Sequence, residues 1–276
     1  MFVDRRTLLL GAATLPLMCS QSALAQAALE GKLNITGAST LAPLVLEIAK
    51  AFEKLHAKVR IDVQTGGSSR GVADARSGLA DIGMVSRPLT PSENDLIPTP
   101  VALDGICVIL HKSNAVSSLT DQQVVDIYTG KIVDWKDVGG APGKISVVNK
   151  AEGRSTLDLF LSHFKLKNAD IKASVVIGDN AQGVKTVVAS VGSIGYVSVG
   201  TAEFEAEQGT AIKLLPFGGV KASTENIRNK SFPLSRTLNL VTKTPPVGLA
   251  KAFIDFATSP AALPFIKEQF FVPLQG

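Results

Sequence analysis

The sequence predicts an α/β fold of two lobes, each built on a largely parallel sheet, and three observations carry that prediction. Short apolar strands alternate with segments of helical spacing along most of the chain. Loops rich in Gly, Ser and Thr lead from strand into helix. Two longer apolar strands, far apart in the chain, stand where crossings between lobes would fall, so that the C-terminus completes the first lobe. In sheets of this kind ligands collect at the carboxyl ends of the strands, where the Gly/Ser/Thr loops lie.

Taken in order, Leu33-Asn34-Ile35 forms a short alternating strand that ends at Gly37. Leu41, Leu44, Val45, Ile48, Ala49, Phe52 and Leu55 then follow helical spacing. Val59, Ile61 and Val63 alternate as a strand, a helix is expected around Val72 to Ser77, and Asp81 to Val85 is a further strand closed by Ser86-Arg87-Pro88. Val101 to Leu110 is the first crossing. Thr120 to Tyr128 reads as a helix with an acidic start, and Ile145 to Val148 as a strand. Leu157, Phe160, Leu161 and Phe164 give another helix face, and Ser193 to Val199 a late strand. Leu234 to Thr242 is the second crossing, followed by a helix over Leu249 to Ala257 and another over Ser259 to Phe270. The expected division is residues 28–108 with 232–276 in one lobe and 109–231 in the other.

Arg5-Arg6 precede an apolar run from Thr7 to Met18 that is too short for a stable membrane span. Ala23-Leu24-Ala25 supplies the small–x–small pattern of signal peptidase, so residues 1–25 are expected to be a cleavable signal peptide and the remainder a periplasmic protein. The paired arginines favour the twin-arginine route, with general secretion left open. Met18 before Cys19 is not the small residue that lipoprotein processing needs. Past residue 25 only Cys107 remains, within the apolar run Ile106 to Leu110, where a buried small hydrophobe is the expected role.

Net charge is +4, and +3 without residues 1–25, too mild for a nucleic-acid partner. Aromatic residues make up 5% with a single Trp, which argues against a sugar cleft lined by stacked rings. His56, His111 and His163 lack close spacing and Cys neighbours, so neither a metal site nor any other cofactor is expected. No nucleophile elbow and no Gly-x-x-x-x-Gly-Lys-Ser/Thr loop occurs, which disfavours hydrolysis.

Three segments instead outline an anion pocket: Gly37-Ala38-Ser39-Thr40, Gly66-Gly67-Ser68-Ser69-Arg70-Gly71 and Gly153-Arg154-Ser155-Thr156. Each runs into a helix, whose N-terminus carries unpaired N–H groups and roughly half a positive charge. Hydroxyls add directional donors and glycines let the backbone approach closely. Ser and Thr are also ordinary caps, so one such segment alone would say little. Arg70, Arg87, Lys150 and Arg154 flank the segments and as a set would supply the field that a dianion requires. Asp81 is expected to be a structural carboxylate pairing Arg87, and Arg236 to orient the second crossing. Tyr128, Trp135 and Tyr196 are read as packing residues.

These segments, together with Ala80-Asp81-Ile82-Gly83-Met84-Val85-Ser86-Arg87, Ile127-Tyr128-Thr129-Gly130-Lys131, Trp135-Lys136-Asp137-Val138, Ile194-Gly195-Tyr196-Val197-Ser198 and Phe232-Pro233-Leu234-Ser235-Arg236, resemble the phosphate-binding family of periplasmic solute-binding proteins of ABC transporters. The resemblance runs from about Leu33 to Phe271. It implies a two-lobe type II binding-protein fold, a non-enzymatic protein, a phosphate or similar tetrahedral oxyanion held in the cleft, and an ABC permease as partner to a monomer. Ser39, Thr40, Ser68, Ser69, Ser86, Ser155 and Thr156 are implied as donors, with Lys150 where the family's phosphate-pairing Arg is expected. Two departures stand out. Arg154 and Ser155 replace the first Ser and second Gly of the family's usual Gly-Ser-Gly-Thr loop, and Arg87 occupies a place where some members carry an Asp that accepts the phosphate proton. An extracytoplasmic sensor or adaptor of the same fold is the alternative function; a phosphoester hydrolase is the weakest.

Overall fold

The computed structural model describes residues 29–274, so the expected signal peptide lies outside the described residues. The first part of the chain forms β1 (Glu30–Gly37), α1 (Ala42–Leu55), β2 (Lys58–Thr65), α2 (Ser68–Ser77), β3 (Ile82–Val85) and the long β4 (Ile97–His111). There follow α3 (Asp121–Tyr128), β5 (Ser146–Lys150), α4 (Ser155–Phe164), β6 (Val175–Ile177), α5 (Asn180–Val188), β7 (Ser193–Ser198), α6 (Val199–Glu207), β8 (Ile212–Leu214) and α7 (Thr224–Arg228). The chain then returns through β9 (Ser235–Thr242) to α8 (Gly248–Ala257), α9 (Leu263–Glu268) and β10 (Val272–Pro273).

The strands run in the order β2-β1-β3-β9-β4-β7-β5-β6, with β8 and β10 also paired to β4. β1 is parallel to β2 and β3, and β5 is parallel to β6 and β7. The crossings break the parallel pattern: β9 is antiparallel to β3 and β4, and β4 is antiparallel to β7. β4 belongs to both lobes, since Ile97 to Gly105 pair with β9 while Ile106 to Leu110 pair with β7.

Two separate apolar cores explain why this single path of strands makes two lobes. One gathers Leu33, Ile35, the buried face of α1, Ile82, Met84, Leu238, Leu240 and Phe253. The other gathers Ile106 to Leu110, Val124, Trp135, Phe160, Val187, Ile194 and Tyr196. The core changes over within β4 between Ala102 and Ile106, and within β9 before Leu238. Burying a Leu, Ile or Phe side chain contributes about 1.5–3 kcal/mol, so each lobe has its own hydrophobic driving force.

Tyr128, Trp135 and Tyr196 are all in the second core. Tyr196 stacks on Phe160 at 4.0 Å between ring centres, and Trp135 donates through Nε1 to the Gly192 carbonyl. Cys107 is fully buried, and burial pushes its thiol pKa well up. Among the described residues no group of His, Cys, Asp or Glu is placed to hold a metal, and no single helix is long and apolar enough to cross a membrane. α2 begins at Ser68 rather than near Val72, and α5, α6 and α7 form where the apolar pattern is too sparse to announce them. β6 and β8, of three residues each, are too short to show a period.

Candidate functional site

The three Gly/Ser/Thr segments come together at the seam between the lobes. Gly37 closes β1 with φ +136°, and a Cβ there would stand 2.3 Å from the Met84 carbonyl oxygen, so only glycine fits. Its own carbonyl accepts from the amides of Gly66 and Gly67, which ties the second segment to the first. Gly67, with φ +94°, lets the second segment touch the third: a Cβ would come 2.4 Å from the Gly153 carbonyl oxygen. That same carbonyl accepts from the Ser69 amide at 3.2 Å, a backbone contact between the lobes.

A helix that merely needs a cap usually takes a side chain for it. Thr120, Asp179, Ser198 and Ser223 cap α3, α5, α6 and α7 in that way. No side chain caps α1, α2 or α4, the three helices that follow the Gly/Ser/Thr segments. α8 and α9 are uncapped as well, but α8 starts at the opposite end of the sheet, where Leu249 packs beside Gly31. The hydroxyls beside α1, α2 and α4 are bonded across the seam instead.

Those hydroxyls form a buried network across the seam. The Ser86 amide donates to Ser68 Oγ at 3.1 Å, and Ser86 Oγ shares a proton-bearing contact of 2.5 Å with Ser155 Oγ. Thr40 Oγ1 accepts from Asn180 Nδ2 and from Arg236 Nη2, each at 3.2 Å. Arg236 Nη1 donates to Thr156 Oγ1 at 3.3 Å. Thr40, Ser68, Ser86, Ser155 and Thr156 are all buried. Ser39 is half-buried and lines an adjoining crease with Thr40, Asn180 and Phe204.

Arg236 is thus more than an orienting residue of the second crossing. It lies opposite Asp104 in the β4–β9 register and binds that carboxylate through Nε at 3.0 Å and Nη2 at 2.7 Å, both side chains fully buried. Asp104 is further held by Ser198 Oγ and the Gly200 amide. With its charge matched, Arg236 presents N–H donors to one hydroxyl of each lobe.

Lys150 ends β5 and is buried. Its Nζ donates to the Asp179 carbonyl at 2.8 Å and to Asn180 Oδ1 at 3.0 Å, and among the described residues no carboxylate pairs it. Burial lowers its pKa to about 7; the Asp179 charge opposes that, and the Arg236 and Arg154 charges add to it. Arg154 is half-buried between Gly67 and Gly178, and its Nε has no hydrogen-bond partner among the described residues. A nearby anion would suit both groups.

The remaining expected residues are not brought into this network. Ser69 is exposed and spends its amide on Gly153. Arg70 is exposed and turned to Asp74, Gln64 and the Thr65 carbonyl. Arg87 is buried but bound to Glu93 in a two-pronged pair of 2.7 and 2.8 Å, and to Asp158 at 3.2 Å. The Arg87 hydrogen bonds hold the Glu93 carboxyl down at about 2. Asp81 does not pair Arg87; its Oδ2 accepts from the Asn34 amide across β1. Sequence reasoning missed Asp104 and Asn180 and gave Arg236 too small a part. A lone carboxylate inside the apolar run Val101 to Leu110 was the available signal for a buried pair.

A profile of the PBP superfamily domain matches residues 22–261. Among solved structures, a protein from Clostridium perfringens described as a phosphate ABC transporter substrate-binding protein, with bound phosphate, is 30% identical with a TM-score of 0.81. The match covers 89% of this chain and 100% of that one. An ABC-type phosphate transport receptor from Vibrio cholerae is 28% identical with a TM-score of 0.72, over 88% of this chain and 100% of its own. The phosphate-binding protein PstS of Bacillus subtilis is 29% identical over 247 residues, 87% of this chain and 79% of the relative. The fold, the three uncapped helix starts and these matches agree, and the chain belongs to the phosphate-binding family of two-lobe type II solute-binding proteins of ABC transporters.

Proposed function

We propose that this protein captures inorganic phosphate, or a tetrahedral oxyanion like it, between its lobes outside the cytoplasmic membrane and hands it to an ABC permease. The observation that carries this reading is the meeting of three uncapped helix starts in one buried hydroxyl network, with the buried Lys150 joined to it through Asn180, which also donates to Thr40. Such a place offers N–H groups, hydroxyls and positive charge in a low-dielectric setting where anion contacts are strong. The relatives named for phosphate support the choice of anion.

In this reading Ser39, Thr40, Ser68, Ser86, Ser155 and Thr156 donate to the anion oxygens, Lys150 and Arg154 supply charge, and Arg236, its charge matched by Asp104, adds N–H donors. Ser69 contributes only through the backbone seam, and Arg70 and Arg87 do not touch the ligand. The lobes open about β4 and β9, and the ligand closes them because only the closed form lets both sides contact it. The protein works as a monomer that binds and releases without turnover, exported by its N-terminal signal.

Titration calorimetry on dialysed protein with phosphate, sulfate, molybdate and tungstate tests the reading. Phosphate binding that Thr156→Ala weakens without loss of fold is the expected result. Binding of sulfate alone would reassign the anion, and affinity unchanged in Thr156→Ala and Ser39→Ala would contradict the pocket.

A further inference from the structure

We propose that Arg87 and Asp158 form a latch that draws the two lobes together whether or not an anion is bound. Arg87 follows β3 in the first lobe, and Asp158 lies in the first turn of α4 in the second. Among the described residues theirs is the ion pair whose partners come from opposite lobes, apart from Asp104 and Arg236 in the crossing strands themselves.

Arg87 is fixed before it reaches across. Nη1 and Nη2 hold Glu93, Nη1 also donates to the Pro88 carbonyl, and the Arg87 carbonyl accepts from Asn239 Nδ2. Glu93 is itself held by the Thr90 amide. The guanidinium is therefore anchored on its first-lobe side, and its Nε–H meets Asp158 Oδ2 at 3.2 Å. A preorganised donor loses little freedom when it makes this last contact.

The position of Asp158 gives the pair its meaning. A carboxylate one turn inside the helix whose start meets the anion would repel that anion. Arg87 answers that charge from the opposite lobe, and only when the lobes meet. Burial raises the Asp158 carboxyl pKa, and the Arg87 charge and hydrogen bond act against that rise. The hydroxyl contacts Ser86–Ser155 and Arg236–Thr156 also join the lobes, but they use groups an anion would compete for. The Arg87–Asp158 pair uses none of them.

Spin labels on exposed Leu79→Cys and Val133→Cys, in a full chain that also carries Cys19→Ser, would report the distance between lobes without ligand, the buried Cys107 staying unlabelled. Asp158→Asn, a half-exposed site, should lower the closed population by about two- to fivefold, the range of a partly exposed ion pair. Asp158→Glu should restore part of it. With inorganic phosphate as probe, Asp158→Asn should release it faster by a similar factor, although losing a nearby negative charge would by itself tighten binding. Equal closed populations in wild type and Asp158→Asn, or slower phosphate release from the variant, would overturn the latch. If phosphate bound neither protein, the proposed ligand would fail while the ligand-free distances still decided the latch.

Discussion

The cations that the two lobes bring to the seam are in opposite electrostatic states. On the first lobe Arg70 faces Asp74 and Arg87 faces Glu93, so each positive charge is spent on a carboxylate a few residues along the chain. On the second lobe Lys150 and Arg154 have no carboxylate partner among the described residues, where Lys150 meets only neutral oxygens. Under the proposed function the first lobe would offer an anion hydroxyls and helix starts, and the second would add net charge. A basic residue beside a Gly/Ser loop says little about binding until the carboxylates within its reach are counted.

Breaking that division should give effects of very different size. Arg87→Met strands Glu93, whose side chain is about as buried as its partner's. It should cost about 3–5 kcal/mol of stability in urea unfolding. Arg70→Met, at a largely exposed pair, should cost less than about 1 kcal/mol in the same experiment. Equal losses would mean that the two first-lobe arginines do not differ in the way described.

Lys150→Met should next weaken phosphate binding by about 10- to 150-fold, the range for losing a charged hydrogen bond, with the fold kept. The same lysine predicts a pH dependence. In the free protein its ammonium, with a pKa lowered to about 7, is half neutral at that pH, whereas a bound anion favours the ammonium and raises the pKa. Binding then takes up a proton above pH 7. This part of the affinity is fully present below pH 7 and falls as pH rises through 7 toward the pKa of the complex. Lys150→Arg, charged throughout, should flatten this dependence; a wild-type profile identical to the Lys150→Arg profile would show that Lys150 does not titrate there. The smallest effect should come from Thr156→Ala, a neutral hydroxyl whose loss weakens binding by about 2- to 12-fold.

Much of the fold was legible because its signals are local. α1 shows its buried stripe directly in the chain, and β4 and β9 announce themselves as long apolar runs. α5 did not, because Asn180-Ala181-Gln182-Gly183 lacks an apolar period and the helix depends on packing against β7 and on the Asp179 cap. The same contrast holds in the site. The hydroxyls of Thr40, Ser68, Ser155 and Thr156 could be read from the segments that carry them. The state of Arg236 could not, since Asp104, which fixes it, lies 132 residues away. The pairing of Arg87 was hidden for a subtler reason: Glu93, six residues on, was near enough to be weighed, but the turn through Pro91 that brings it back is a three-dimensional fact.

The most direct test of the central claim is calorimetric titration of inorganic phosphate into dialysed wild-type protein and its Lys150→Met variant side by side. One-to-one binding to the wild type is expected, with a loss of at least about tenfold in the variant at unchanged thermal stability without ligand. Equal phosphate affinity in the two proteins would contradict it, because the unpaired charge of the second lobe would then play no part in holding the anion.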